Sequence, residues 1–249
     1  MFGSRKYILD PDIDAFHFQC WSWLLRHTGG IEKFRQTELV LPTPQFFPKT
    51  ESEGHARAEH IFECVRQHAG MAEWPVRLVA QQEMQSQVST YNFIQHGTRA
   101  AGTFANHGNG GIITYEPGQG AISLVATFAH ELGHYLNGGF PEPPPGGWDL
   151  VEPATDVTAA FLGFGVFGAN SAFHFTRTQD FEGQGWSTSR LGYITEAEWA
   201  LNLAIFCAVA ELEISQLKDH LKPHIFQIVK KSTKFIAKHK MVLEVLAAA

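Results

Sequence analysis

One short motif constrains this chain more than any other feature of its sequence. Residues 127–136 read TFAHELGHYL, which places the pattern H-E-x-x-H inside an apolar stretch. Residues four apart lie on the same face of an α-helix, so His130 and His134 can share one zinc ion. Glu131 follows the first histidine and can take a proton from a water at that metal. The motif therefore predicts a helix, a zinc site and hydrolytic chemistry.

The residues before the motif predict a small sheet. From residue 74 the pattern changes to period two: 76–79 and 102–104 are typical of short strands, and 112–115 predicts a stronger one. Gly110-Gly111 and Pro117-Gly118 mark turns on either side of the third run. We therefore expect strands to precede the histidine helix.

The motif itself lies in the first of two predicted helices, which a stiff turn joins. Apolar residues at helical spacing run from 122 to 137, and Gly138-Gly139 follows as a C-terminal cap signal. The proline-rich stretch 141–147 cannot be helix or central strand. An almost entirely apolar sequence from 148 to about 172 then predicts a second helix, antiparallel to the first.

A third donor is needed, because a catalytic zinc has three protein ligands. Glu152, near the start of the second helix, is the best candidate, since seventeen residues separate it from His134 and allow the chain to return. Asp156 lies one turn later on the same face and can accept the distal N–H of a ligand histidine. Taken singly, these acids also suit an ordinary helix N-terminus. Together with the motif, they predict a three-ligand zinc site.

The combination of these residues resembles a known family. His130-Glu131-x-x-His134 followed by Glu152-x-x-x-Asp156 is similar to the gluzincin clan of zinc metallopeptidases, over roughly residues 76–172. The resemblance implies that His130, His134 and Glu152 bind zinc, that Glu131 is the general base, and that Asp156 orients one histidine.

The same resemblance implies further features of the site. The run 112–115 becomes a sheet-edge strand along which a peptide or protein substrate lies. A tyrosine or histidine stabilises the tetrahedral intermediate, and the candidates are Tyr193 and His174, which both follow the second helix. The metzincin clan is excluded, because its pattern requires glycine at 137 and histidine at 140, where this chain has Asn137 and Phe140.

Composition narrows the setting. The net charge of −6 gives no argument for nucleic-acid binding, and no apolar run reaches the roughly 20 residues that cross a bilayer. Acids at positions 10 and 12 interrupt any signal-peptide core, so we expect a cytoplasmic protein without membrane insertion. Three widely spaced cysteines, at positions 20, 64 and 207, suit reduced thiols.

Two local patterns have competing interpretations. Residues 163–168 read GFGVFG, the dinucleotide fingerprint, but no long helix and strand follow, which favours close helix packing instead. Residues 216–240 contain seven lysines and one acid. They favour the solvated face of an amphipathic helix, with an anionic-partner or membrane-surface patch as the alternative.

The flanks predict more helix. Apolar spacing indicates helices at 12–27 and 54–68 with an extended proline-containing segment at 39–49 between them, and Thr195-x-x-Glu198 is a capping box that opens a helix from 196 to about 215. A last helix is predicted at 223–240. The expected fold is α+β, a single zincin-like domain over 1–249. It comprises an N-terminal helical region (1–73), a metallopeptidase core with a small mixed sheet (74–172) and a C-terminal helical region (173–249).

Two functions follow from these expectations. The first is a zinc-dependent peptidase. The alternative is a zincin-like binding or regulatory protein, catalytically silent, in which zinc is structural or the flanking segments cover the site.

Overall fold

The fold combines many helices with a small three-stranded sheet. The structure, a computed structural model, describes residues 8–81, 102–107, 110–179 and 194–238, and only the backbone of 106–107 and 173–179. In chain order the elements are α1 (Pro11–Thr28), α2 (Gly30–Phe34), α3 (Gly54–His68), β1 (Val76–Ala80), β2 (Gly102–His107), β3 (Gly110–Tyr115), α4 (Ala121–Asn137), α5 (Val151–Ala159), α6 (Gly165–Gln179), α7 (Glu196–Val209) and α8 (Pro223–Lys238).

The sheet is mixed and has the order β1-β3-β2. β1 runs parallel to β3, with Val76 opposite Gly111, and β2 runs antiparallel to it, with Gly102 opposite Tyr115. The prediction that 112–115 is an edge strand is therefore wrong, because β3 is paired on both sides. The central position of β3 agrees with its burial, because all residues from Gly111 to Tyr115 are buried. Strands buried on both faces read as continuous apolar runs and belong in the centre of a sheet.

The histidine helix α4 is the centre of the molecule. It begins after Gly120, and every residue from Leu124 to Gly133 is buried. Phe128 meets Phe62 of α3 at a ring-centroid distance of 5.2 Å and Tyr115 of β3 at 5.8 Å. Packing on both sides fixes the orientation of α4, and hence the direction in which its histidines point.

The second predicted helix is interrupted. A 3₁₀ turn at Trp148–Leu150 leads into α5, and a π-helical segment at Ala160–Phe164 separates α5 from α6. Gly163 adopts φ 98°, and a Cβ there would lie 2.1 Å from the Glu38 carbonyl oxygen. The Gly163 carbonyl accepts the N–H of Val40 at 3.0 Å, so an extended part of the predicted 39–49 segment crosses the helix where only glycine fits.

The glycines of the sequence GFGVFG serve close packing, as expected. A Cβ on Gly165 would lie 2.8 Å from Leu203, and one on Gly168 would lie 2.3 Å from Trp199, both on α7. No strand precedes these glycines, because they lie within and after the π-helical segment. The packing interpretation is therefore confirmed, and the dinucleotide pattern is coincidental.

The C-terminal helices follow the sequence with one difference. Thr195 and Glu198 form the predicted capping box, but α7 ends at Val209 and not near 215. Glu211 has φ 57°, which turns the chain out of the helix. On α8, Ile225, Val229 and Ile236 are buried while lysines 230, 231, 234 and 238 are exposed, which confirms an amphipathic helix. Both interpretations of its basic face stay predictions.

Two features of composition also have a structural counterpart. Within the described residues one helical stretch, 148–172, is long and apolar enough to cross a membrane, yet 83% of its apolar window is buried inside the protein. Its apolarity is therefore that of a core helix. Cys20, Cys64 and Cys207 are free and buried, as expected for reduced thiols.

A buried polar network joins α1 to α7. Trp21 Nε1 donates to Asn202 Oδ1 at 2.8 Å, and the Asn202 amide lies 3.1 Å from Nδ1 of His17, which is completely buried. His17 Nε2 lies 3.2 Å from Glu198 Oε1, while Glu198 Oε2 accepts the Thr195 N–H at 2.9 Å and the Thr195 hydroxyl at 2.7 Å. The start of α7 is thereby tied to the N-terminal helix.

Glu198 should make the protein sensitive to acid. Burial opposes its charge, but the hydrogen bonds from His17 and Thr195 outweigh this and lower the pKa of Glu198 below its ordinary value of 4.5. A carboxyl whose pKa is lowered by folding stabilises the protein above pH 4.5, and this stabilisation is lost as the pH falls through the lower folded value. Glu198→Gln keeps a capping-box residue but removes the charge. We expect the unfolding free energy of this variant to be about 1.5–3 kcal/mol lower than that of wild type at pH 7. This difference should become smaller below pH 4.5.

Urea unfolding of both proteins between pH 3 and 7 measures this difference. The control is Glu32→Gln, because the Glu32 side chain is 81% exposed and pairs only with Arg35 on the surface. A difference between Glu198→Gln and wild type that stays constant with pH would contradict the assignment of the charge.

Candidate metal centre

The loop between α4 and α5 is held against the N-terminal helix. Phe140 packs edge-on against Trp23 at 4.9 Å and stacks on His27 at 4.8 Å. His27 Nε2 also lies 2.9 Å from the Glu142 carboxylate. These contacts anchor the proline-rich turn on α1. The N-terminal helix therefore helps to determine the direction in which the chain returns from α4 to α5.

Gly133 lets the two helices come close together. A Cβ at this position would lie 3.0 Å from Thr155 Cγ2 and 3.2 Å from the Thr155 carbonyl oxygen. Both contacts are tighter than an ordinary van der Waals contact, and the neighbouring Thr155 carbonyl belongs to the rigid backbone of α5. Glycine between the two histidines therefore permits a helix separation at which a carboxylate on α5 can reach them.

Three side chains converge where α4 and α5 meet. His130 Nε2 lies 3.1 Å from His134 Nε2 and 3.1 Å from Glu152 Oε2, and His134 Nε2 lies 3.4 Å from the same carboxylate oxygen. These are the three donors that the sequence predicts, and they form a cluster that could hold a metal ion. The exposed fraction of the side chain rises from 7% at His130 to 20% at His134 and 43% at Glu152, so the cluster faces outward on the Glu152 side.

Asp156 lies behind the cluster, where the sequence predicts it. Its Oδ1 is 2.8 Å from His130 Nδ1, and its Oδ2 accepts the Ile194 N–H at 3.0 Å. Both oxygens are therefore occupied, and the carboxylate cannot rotate away from the histidine. An Nδ1–H donated to this carboxylate orients the ring so that Nε2 points towards His134 and Glu152.

The charges of the cluster are mutually stabilised. Burial alone lowers the pKa of His130, but hydrogen bonds to Asp156 and Glu152 outweigh it and raise the pKa well above the ordinary value. Burial opposes the charge of Glu152, yet its hydrogen bonds to the two histidines hold the pKa of this carboxyl far below its usual range. Glu152 is consequently ionised, as a metal ligand must be.

Glu131 lies beside the cluster but is not one of its three donors. Only 4% of the residue is exposed, and burial raises the pKa of its carboxyl, although the nearby His130 and His134 lower it in part. The start of β2 passes directly against it, because a Cβ on Gly102 would lie 3.0 Å from Glu131 Oε1 and 2.6 Å from Thr127 Cγ2. β2 therefore begins beside this carboxylate.

Two further predicted site residues, Tyr193 and His174, have side chains outside the described part of the structure. Tyr193 lies outside the described residues. His174 does not follow the second helix as predicted, because its backbone belongs to α6, and its side chain lies outside the described residues. Their assignment as groups that stabilise an intermediate stays a prediction.

Sequence reasoning missed two residues at the site, Thr155 and Asn137. Thr155 Oγ1 lies 3.4 Å from His134 Nδ1 and receives the Asn137 amide at 3.3 Å. One signal was available in the sequence, since Asn137 comes three residues after His134 and shares its helix face. Thr155 gave none, because threonine next to Asp156 has no metal-site meaning on its own.

Comparison with protein-family models, with curated proteins and with solved structures finds no match to this chain.

Proposed function

We propose that this protein is a zinc-dependent peptidase with a zincin-like core of the gluzincin type. In this proposal His130, His134 and Glu152 bind zinc, Asp156 orients His130, and Glu131 is the general base. Two histidines and one carboxylate are a donor set typical of catalytic zinc, and structural sites usually have four protein ligands.

The spacing of the donors supports this metal. Two ligands about 2.1 Å from a tetrahedral ion lie roughly 3.4 Å apart. The three separations among the ligand atoms are 3.1, 3.1 and 3.4 Å, so the site needs little rearrangement to bind zinc. The outward-facing side of the cluster at Glu152 leaves room for a fourth, non-protein ligand.

The buried position of Glu131 beside the three donors is the observation that supports catalysis. Zinc, when bound, supplies a Lewis acid for a peptide carbonyl and makes a water more acidic. Glu131 is buried close enough to His130, His134 and Glu152 for their charges to shift its pKa. It is not one of the three donors, so its carboxyl is available for proton transfer. A carboxyl with a raised pKa can accept the proton of the attacking water and return it to the leaving amine. A purely structural metal site has no use for this fourth group.

The substrate in this proposal is a peptide or protein chain beside β2. Among the described strands β2 has a single partner, β3, and its first residue lies against Glu131. An extended peptide that added to this edge would pair its backbone with the strand and bring a carbonyl to the site. The edge strand implied by the family resemblance is therefore assigned to 102–107.

Metal analysis and a cleavage assay test the proposal together. We expect purified protein to contain one zinc ion per chain and to cleave members of a peptide library. A chelator should abolish cleavage, and added zinc should restore it, because the metal is required for the reaction. Zinc without chelator-sensitive cleavage would reject the peptidase and favour the catalytically silent alternative, while a protein that binds no zinc would reject both.

A further inference from the structure

The Nδ1 atoms of the two proposed ligand histidines have different hydrogen-bond partners. His130 faces a carboxylate, Asp156, at 2.8 Å, whereas His134 Nδ1 faces the neutral hydroxyl of Thr155 at 3.4 Å. Thr155 is completely buried, and only 7% of Asn137 beside it is exposed. Water therefore does not supply the second partner of His134 from this side.

The hydrogen bonds of Thr155 determine which way its contact with His134 runs. A hydroxyl has one proton to donate and two lone pairs to accept with. Thr155 Oγ1 lies 2.8 Å from the Val151 carbonyl oxygen, which can only accept, so the single proton points there. One lone pair receives the Asn137 amide at 3.3 Å, and the other is left for an N–H on His134 Nδ1.

Asn137 is in turn fixed by a second threonine. The hydroxyl of Thr158, which is completely buried, shares its single proton between Asn137 Oδ1 at 3.0 Å and the Ala154 carbonyl oxygen at 2.9 Å. Asn137 and His134 sit on α4, while Thr155 and Thr158 sit on α5, so this small network also joins the two ligand helices. Its members are positioned by the same close helix approach that Gly133 permits.

We propose that Thr155 is the positioning residue of His134, holding the ring with its proton on Nδ1 and its Nε2 directed at the metal. The inference rests on the proposed zinc site. It assigns to α5 three roles in sequence, since Glu152 binds the metal, Thr155 orients one histidine and Asp156 orients the other.

A neutral partner also suits the charge of the site. Glu131, Glu152 and Asp156 already place three carboxyl groups around two histidines. A carboxylate at position 155 would add a fourth buried negative charge. A hydroxyl orients His134 without adding to that repulsion.

Zinc affinity measures the role of Thr155 without any substrate. Thr155→Val keeps the branched shape but cannot accept a hydrogen bond, so we expect zinc affinity to fall about 10-fold, the lower part of the range for partners behind a metal ligand. Thr155→Ser restores the hydroxyl and should return affinity to near that of wild type. Competition with a chromophoric zinc chelator gives these values, and the His134 Nδ1–H resonance of the zinc-loaded protein should be shifted or lost in Thr155→Val and present in Thr155→Ser.

Thr233→Val is the matched control. Thr233 on α8 makes the same kind of hydroxyl contact to a carbonyl one turn earlier, Val229 at 3.0 Å, but lies on another helix from the cluster. This variant should lose a similar helix contact and bind zinc like wild type. If Thr155→Val does not fold, Thr155→Ala takes its place, because it removes the hydroxyl without pressing a methyl group on the Val151 carbonyl.

The outcomes separate this inference from the proposed function. Tight zinc binding by wild type with unchanged affinity in the folded Thr155 variant overturns the positioning role, as does a loss that serine fails to restore. Wild type that binds no zinc overturns both proposals. Wild type that binds zinc but cleaves no peptide rejects the peptidase alone, and a 10-fold loss in Thr155→Val then still supports the role of Thr155.

Discussion

Replacing Glu131 with glutamine is expected to abolish peptide cleavage while zinc stays bound. Glutamine has nearly the same shape, but it cannot accept the proton of the attacking water or return one to the leaving amine. Loss of a general acid–base group lowers the rate by about 10²–10⁴-fold. Because Glu131 is not among the three donors, zinc content and affinity of Glu131→Gln should remain those of wild type. Steady-state kcat/KM, with zinc measured on the same sample, checks both expectations.

The stability of the same variant distinguishes lost chemistry from lost structure. Burial raises the pKa of Glu131 more than His130 and His134 lower it, which means that the ionised carboxyl opposes folding at neutral pH. Glu131→Gln without metal should therefore unfold at the same temperature as wild type or at a higher one. Glu32→Gln on α2 is the control, because the Glu32 side chain is 81% exposed, and it should cleave normally. A Glu131→Gln enzyme as active as wild type would refute the mechanism.

The site was more predictable from the sequence than the sheet around it. His130 and His134 are four residues apart, so their convergence is a local property of any helix that contains them. Glu152 needed one more step, the inference that a proline-rich turn returns the chain, and the three donors do converge. These predictions succeeded because each depends on contacts within one helix or across one turn.

Strand order is a different kind of information. Whether residues 112–115 are central or at an edge depends on β1 and β2, which come from elsewhere in the chain, and the family resemblance gave the wrong answer. The run Ile112-Ile113-Thr114-Tyr115 contains no charged residue, so the sequence itself could have indicated a strand that is buried on both faces and therefore central. A pattern read from the strand itself was here a better guide than the resemblance.

Interruptions of helices depend on contacts that no local pattern contains. The helix predicted from 148 to 172 breaks at Gly163 because the backbone of Glu38 lies against it, a contact between residues far apart in sequence. The end of α7 at Val209 likewise follows from the turn at Glu211. Thr155 belongs to the same class, because its role exists only once α4 and α5 are brought together around Gly133.

Replacing Glu152 with glutamine is expected to remove zinc altogether at working concentrations. Glu152 is the only carboxylate among the three donors, and its pKa is held low by both histidines, so it brings the negative charge that offsets the metal. Loss of a residue that is hydrogen-bonded to a metal ligand lowers metal affinity about 10–100-fold. Loss of the charged ligand itself should therefore lower zinc affinity more than about 100-fold. Asp149→Asn is the control, since it removes an exposed acid from the same helix start without removing a donor.

Thermal unfolding with and without zinc gives the clearest readout of that loss. A ligand at 100 times its Kd stabilises the folded state by about 2.7 kcal/mol, which for a chain of this size raises Tm by roughly 5–10 °C. Wild type and Asp149→Asn should both show this increase, whereas Glu152→Gln should show none and should lose chelator-sensitive cleavage as well. If Glu152→Gln keeps one zinc per chain and the full increase in Tm, the third ligand is not on α5, and the zinc site proposed for this protein is wrong.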